Sequence, residues 1–240
     1  MTTLTKIIIA VTLTIICCSC NIAFDGIRGE GEVTRKEKTI NQNFNIIKSS
    51  RGLNIVLTNN KDKKVIIEAN ENLHQHIEVY VEGETLHITS DKNIFQADEK
   101  TVYVSYNKLG RISATSGSRV TSSEAVVQRD LTIKATSGAD IELRVKAETL
   151  TTSVTSGAMM NLAGKVNNHK TTATSGANIR ANELLSLVTE AKATSGAHIK
   201  VHAKDQFTGK ATSGADVVYY GDPEKVSEDD NSGGNVRRRN

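Results

Sequence analysis

The sequence predicts an all-β protein: a single-domain, parallel β-helix-like solenoid of about 18–21 residues per repeat, with an irregular β-rich N-terminal cap. Three observations carry that prediction. The phrase ATSGA at 135–139 recurs in near-copies at Ala114–Ser118, Val154–Ala158, Ala173–Ala177, Ala193–Ala197 and Ala211–Ala215. Its glycines, Gly117, Gly138, Gly157, Gly176, Gly196 and Gly214, are spaced by 21, 19, 19, 20 and 18 residues. Between them, apolar and polar residues alternate with the period of two that marks strands rather than helices.

Composition narrows the kind of core. A chain of 240 residues holds one domain or at most two, and 38% apolar content with 4% aromatics, no Trp and Pro223 as the single proline implies a narrow interior. Small and β-branched residues must fill it. The formal charge of +3 comes from 30 basic and 27 acidic residues mixed along the chain, and the one dense basic run is Arg237, Arg238 and Arg239. Such mixing lacks the basic stripe that a nucleic-acid partner requires.

Residues 1–20, MTTLTKIIIAVTLTIICCSC, place one cation at Lys6 before an apolar run from Ile7 to Ile16 and a segment of small residues. The pattern is that of a secretory signal, too short for a comfortable membrane span. Ser19 directly before Cys20 resembles a bacterial lipobox, which implies a diacylated, palmitate-bearing Cys20 as the new N-terminus. Cys17 stands where Leu is usual, so Cys18 remains an alternative acceptor. The expectation is an outer-membrane lipoprotein of a Gram-negative cell envelope, held to the membrane by its acyl chains. With Cys20 modified, no cysteine is left for an internal disulfide.

The cap follows. Runs such as Phe44–Ile47, Leu53–Leu57, Val65–Glu68, Ile77–Val81, Leu86–Ile88 and Val102–Tyr106 read as strands, with NNKDKK at 59–64 and EGE at 82–84 as hairpin turns. A thick cap shields the first edge of a solenoid from unwanted pairing.

In the repeats, Val120, Ile141, Met160, Ile179, Ile199 and Val217 form one inward column. Ser122, Leu143, Leu162, Ala181, Val201 and Tyr219 form a second. Two intervening columns face water: Arg119, Asp140, Met159, Asn178, His198 and Asp216, then Thr121, Glu142, Asn161, Arg180, Lys200 and Val218. A second strand precedes each glycine, as in Leu131–Ala135 and Leu150–Val154, and stacked rungs would lie about 4.8 Å apart. Glycine at positive φ turns the chain between two faces, while the Thr and Ser hydroxyls serve corner backbone groups and one another. After YYGDP at 219–223, residues 224–231 read as a loop or linker and NSGGNV at 231–236 as a degenerate last repeat.

The signal, the stretch from FNIIKSSRGLNIVL to VEGETLHI, the serial ATSGA phrases and the closing YYGDP…SGGNV together resemble the bacterial family called putative auto-transporter adhesin, head GIN domain, over roughly residues 33–236. The resemblance implies an all-β, solenoid-like envelope protein and transfers no catalytic or ligand-binding residue. The domain organisation expected is a lipoprotein signal peptide at 1–20, the β-solenoid at 33–223 and a C-terminal tail at 224–240.

The search for chemistry finds little. His74 and His76 share a face only if their segment is extended, and His198 and His202 on one strand would be about 13 Å apart, too far to share a zinc ion. Asp140 and Asp216 lie about four rungs apart, roughly 19 Å, beyond the reach of a glycosidase pair, whereas Asp140 and Glu142 at about 6–7 Å fall within it. The phrase serines repeat uniformly and lack a nucleophile elbow. No catalytic residue, metal or cofactor is therefore expected. The outward column Arg119, Asp140, Asn178, His198 and Asp216 is the candidate ligand-binding face, suited to an extended glycan or a protein partner through many weak contacts. The expected function is a non-enzymatic, lipid-anchored adhesin or surface-ligand binder. Two rivals are a polysaccharide-modifying β-helix enzyme, needing charged groups clustered on adjacent rungs near Asp140 and Glu142, and an assembly protein that self-associates through its solenoid end. The oligomeric state stays open.

Overall fold

The structure, a computed structural model that describes residues 26–60 and 64–239, expresses the alternation as strands over 68% of those described residues. The expected signal segment and Cys20 lie outside the described residues.

The cap contains β1 (Gly26–Arg28), β2 (Val33–Thr39), β3 (Ile46–Ser49), β4 (Asn54–Asn59), β5 (Lys64–Asn70), β6 (Ile77–Glu82), β7 (Thr85–Ser90), β8 (Asn93–Gln96) and β9 (Lys100–Tyr106), with a 3-10 turn at Glu71–Gln75. The repeats contribute β10 (Arg111–Ala114), β11 (Arg119–Ser122), β12 (Val126–Val127), β13 (Asp130–Ala135), β14 (Asp140–Val154), β15 (Met159–Ala173), β16 (Asn178–Thr194), β17 (His198–Thr212), β18 (Asp216–Tyr220), β19 (Lys225–Asn231) and β20 (Asn235–Arg238). They wind a solenoid of about seven turns with parallel stacked coils. Each long strand from β14 to β17 runs from one glycine corner to the next, so it makes one full turn of the coil.

Each corner is a type I′ turn. Ser137 and Gly138 have φ of +53° and +71°, and the Ala139 amide donates to Thr136 O at 3.2 Å; the other copies repeat this geometry. The serine, as well as the glycine, sits in the left-handed region. Corner backbone groups are satisfied between rungs, Gly138 N donating to Ser156 O at 3.1 Å and Gly157 N to Ser175 O at 3.1 Å. Hydroxyl contacts stay mostly within a rung, as between Thr136 Oγ1 and Ser137 Oγ at 3.4 Å, so backbone rather than side chains carries the ladder at the corner. The cap repeats the device at Arg51 and Gly52, with φ of +59° and +68°.

The core is narrow, as composition demands. Both inward columns are buried apart from the half-buried Ser122, and burial of each Ile or Leu contributes roughly 1.5–3 kcal/mol. Val218 departs from the expected pattern, being 2% exposed in an otherwise outward column. Its register neighbours are Lys200 and Arg237, whose long aliphatic stems flank it. The interior also holds a polar seam. His169, Thr152 and Thr171 are all buried, with Thr152 Oγ1 donating to Thr171 Oγ1 at 2.7 Å.

The cap extends both faces of the first rung. β7 pairs in parallel with β3, and β9 with β4; antiparallel β6 and β5 then cover β7 and β9, and β2 covers β5. EGE makes the expected hairpin between β6 and β7, with Gly83 at φ +59°. NNKDKK does not make one. β9 lies between β4 and β5 and pairs with both, because hydrogen bonding to the rung below favours inserting β9 over closing the short loop. At the other end residues 225–231, read as loop, are β19, in parallel register with β17 from Gln206↔Lys225 to Thr212↔Asn231. Their acidic composition hid the strand. The turn at Ser232 and Gly233 follows as the degenerate phrase suggests, with φ of +51° and +75°.

Candidate functional site

Parallel, in-register stacking converts sequence columns into straight rows of side chains on one face of the coil. Arg119, Asp140, Met159, Asn178, His198 and Asp216 are successive register partners, continued by Asn54 before them and Asn235 after them. The five residues expected to form a binding face are thus brought into a single row, interrupted by half-buried Met159.

Part of that row is already engaged. Arg119 reaches Asp140 at 3.5 Å and Glu142 at 3.0 Å, bridging the two carboxylates that most resembled a catalytic pair. Asp216 accepts from Arg237 at 3.1 Å and from Asn235 at 2.9 Å. These groups are partly exposed, so each pair contributes little stability, but each lowers the freedom of its members to meet a ligand. Asn178 and His198 keep theirs.

The histidines are scattered. His74 lies in the 3-10 turn and contacts Thr34 Oγ1 at 2.9 Å, whereas His76 Nδ1 contacts Asp91 at 2.9 Å. Among the described residues no group of three or more His, Cys, Asp or Glu side chains is placed to hold a metal ion.

Beside the row the same face opens into a slot of about 500 Å³. Its geometry follows from three rungs. Glu142, Asn161 and Arg180 form one register row across β14, β15 and β16; Arg144, Ala163 and Glu183 form another. The middle rung therefore presents only a short amide and a methyl group, while the rungs on either side present long charged side chains. Walls two rungs apart stand about 10 Å from each other. Next to Ala163, Gly164 has φ +122°, and a Cβ there would fall 2.1 Å from Val145 O, so the backbone itself packs close at the floor. The far wall is raised by a bulge. Pairing of β16 with β17 passes from Ala181↔Val201 directly to Leu185↔His202, leaving residues 182–184 without partners on β17, while on the other side Glu183 stays paired with Ala163.

Sequence reasoning assigned Glu142, Asn161 and Arg180 to an outward column but did not single out the slot, and it missed Arg144, Ala163 and Glu183. The available signal was a small pair, Ala163–Gly164, aligned with charged neighbours one repeat away, together with the longer 20-residue interval between Gly176 and Gly196.

Residues 43–223 match the family model described as "Putative auto-transporter adhesin, head GIN domain". Among solved structures, a putative adhesin from Bacteroides fragilis NCTC 9343 aligns with a TM-score of 0.81 at 18% identity, covering 89% of this chain and 100% of that one. A putative adhesin from Parabacteroides merdae ATCC 43184 aligns with a TM-score of 0.72 at 17% identity over 90% of this chain and 100% of that one. A putative lipid binding protein from Parabacteroides distasonis ATCC 8503 aligns at 0.73 and 16% identity, covering 89% and 99%. At these identities the likeness is one of fold. No curated protein matches the chain.

Proposed function

The chain belongs to the family of putative auto-transporter adhesins, head GIN domain, and from that membership we propose that it is a lipid-anchored envelope protein that binds a surface ligand without chemically altering it. The observation that carries this reading is the in-register row from Arg119 to Asp216 on a rigid stack. A row fixed by backbone hydrogen bonds offers repeated weak contacts at little ordering cost, which suits an extended ligand. The bridging of Asp140 and Glu142 by Arg119 favours binding over hydrolysis, since a glycosidase needs one carboxyl free to protonate and the other free to attack or activate water.

Acylation at Cys20 provides the anchor in this reading, with the solenoid displayed from the outer membrane. Radiolabelled palmitate should enter the wild-type protein and the Cys18→Ser variant but not Cys20→Ser. Incorporation into Cys20→Ser and loss from Cys18→Ser would move the anchor to Cys18. Binding is tested with the full-length protein on glycan and matrix-protein arrays against a variant carrying Asp140→Ala, Asn178→Ala and His198→Ala. A ligand lost by the variant supports the row; no ligand on any array removes the adhesive function.

A further inference from the structure

We infer that the slot between the Glu142–Arg144 and Arg180–Glu183 walls binds a carboxylate-bearing sugar unit of an acidic oligosaccharide. The inference deepens the surface-binding reading and rests on it.

Charge and pairing come first. Arg119 already answers Glu142. Among the described residues neither Arg144 nor Arg180 forms an ion pair, and Glu183 forms none either. Two guanidinium groups from opposite walls thus face one cavity with their donors unspent, beside one carboxylate with its acceptors unspent. The complement to such a set is a ligand that offers an anion and hydroxyl donors together. Guanidinium groups hold carboxylates through paired, charge-assisted hydrogen bonds. Glu183 and the Asn161 amide can take up vicinal hydroxyls.

Shape agrees with that chemistry. The slot is about two rung spacings across, wide enough for one pyranose ring, and Ala163 leaves an apolar floor for the ring's C–H face. Walls and floor sit on paired strands rather than on a free loop, so the site is preformed. An acidic peptide would fit less well. β15 is hydrogen-bonded on both sides along the slot, which leaves no strand edge onto which a peptide backbone could add.

The test is calorimetric titration of the full-length protein with trigalacturonic acid, its methyl-esterified counterpart and triglutamate. The expected result is binding of the acid at least tenfold tighter than of the ester or the peptide. Arg180→Gln and Arg144→Gln should each weaken it at least fivefold, and Ala163→Gln, which fills the floor, should abolish it, with circular dichroism and melting temperature unchanged. Lys192→Gln, an exposed cation outside both the slot and the row, should leave this affinity within twofold. Equal binding of acid and ester, preference for triglutamate, or indifference to Arg144→Gln and Arg180→Gln overturns the slot. If the slot variants are silent while Asn178→Ala and His198→Ala lose an array ligand, the row survives and only the slot falls; if the protein binds no ligand in either assay, both fall.

Discussion

His169 Nε2 lies 3.1 Å from Thr152 Oγ1 inside the coil, while its Nδ1 is buried without a hydrogen-bond partner. Burial pushes the imidazole down from 6.5 to about 4, because charging it would strand a cation away from water with no counter-charge beside it. The group therefore folds neutral. In the unfolded chain it takes up a proton below about 6.5, so between that value and 4 the unfolded state binds more protons and stability falls as pH falls. The full loss is roughly 3 kcal/mol, reached below pH 4. Urea denaturation at pH 7.5 and 4.5 should show the drop, and His169→Leu, which puts in the residue its register partner Leu150 already provides, should flatten it. Equal pH slopes in both proteins would refute the assignment.

Serine at the first central position of the type I′ corners carries left-handed strain that asparagine tolerates better. Ser137→Asn or Ser156→Asn should raise stability by about 0.5 kcal/mol each, and Gly157→Ala, with open space around its Cβ, should cost about 1 kcal/mol through strain alone. Gly164→Ala is a different case, since its Cβ would strike Val145 O, and a cost of at least about 3 kcal/mol is expected. Thermal melts of the four variants rank these effects; equal losses for Gly157→Ala and Gly164→Ala would contradict the packing at the floor of the slot.

The repeats were legible because their signal is local and iterated: period-two alternation and a corner phrase that returns every 18–21 residues. Pairing in the cap was not, since nothing in NNKDKK says that β9 will come between β4 and β5 from forty residues away. The row Arg119–Asp216 was legible from register, but Arg119's grip on Glu142 depends on diagonal reach between rungs. The slot was hidden for another reason: it is made by a short side chain at Ala163 and a bulge at 182–184, and both are departures from the pattern that alignment seeks.

Phe207 and Tyr219 stack at 4.0 Å with their planes 19° apart, and Gly209 leaves the room for it: a Cβ there would meet Phe207 Cζ at 2.6 Å and Val236 Cγ1 at 2.8 Å. Here the narrow core widens to admit aromatics beneath the last rung. Phe207→Ala should cost about 3–5 kcal/mol and Phe207→Leu about 1–2 kcal/mol. Gly209→Ala, although it adds only a methyl group, should cost about 1–3 kcal/mol. Urea midpoints at constant m-value measure all three, and a neutral Gly209→Ala would show that the ring has space to shift.

The last rung replaces core residues with charges. Ile133, Thr152, Thr171, Ala191 and Gly209 occupy one inward row and Glu228 ends it; Ala135, Val154, Ala173, Ala193 and Ala211 occupy the next and Asp230 ends it. Both acids are exposed, on a strand that pairs with β17 and with no further rung among the described residues. Asp230 accepts from the Val236 amide and Glu228 is hydrogen-bonded to the Tyr219 hydroxyl, but no cation among the described residues answers either, so an inward-pointing charge here penalises any second copy that would dock and bury it. Glu228→Thr with Asp230→Ala restores the residue types of earlier rungs and leaves Asp229 free to keep its pairing with Lys210. Light scattering after size exclusion should then show a concentration-dependent rise in mass for the double variant relative to wild type. An unchanged mass would mean that the edge is protected by something other than these two carboxylates.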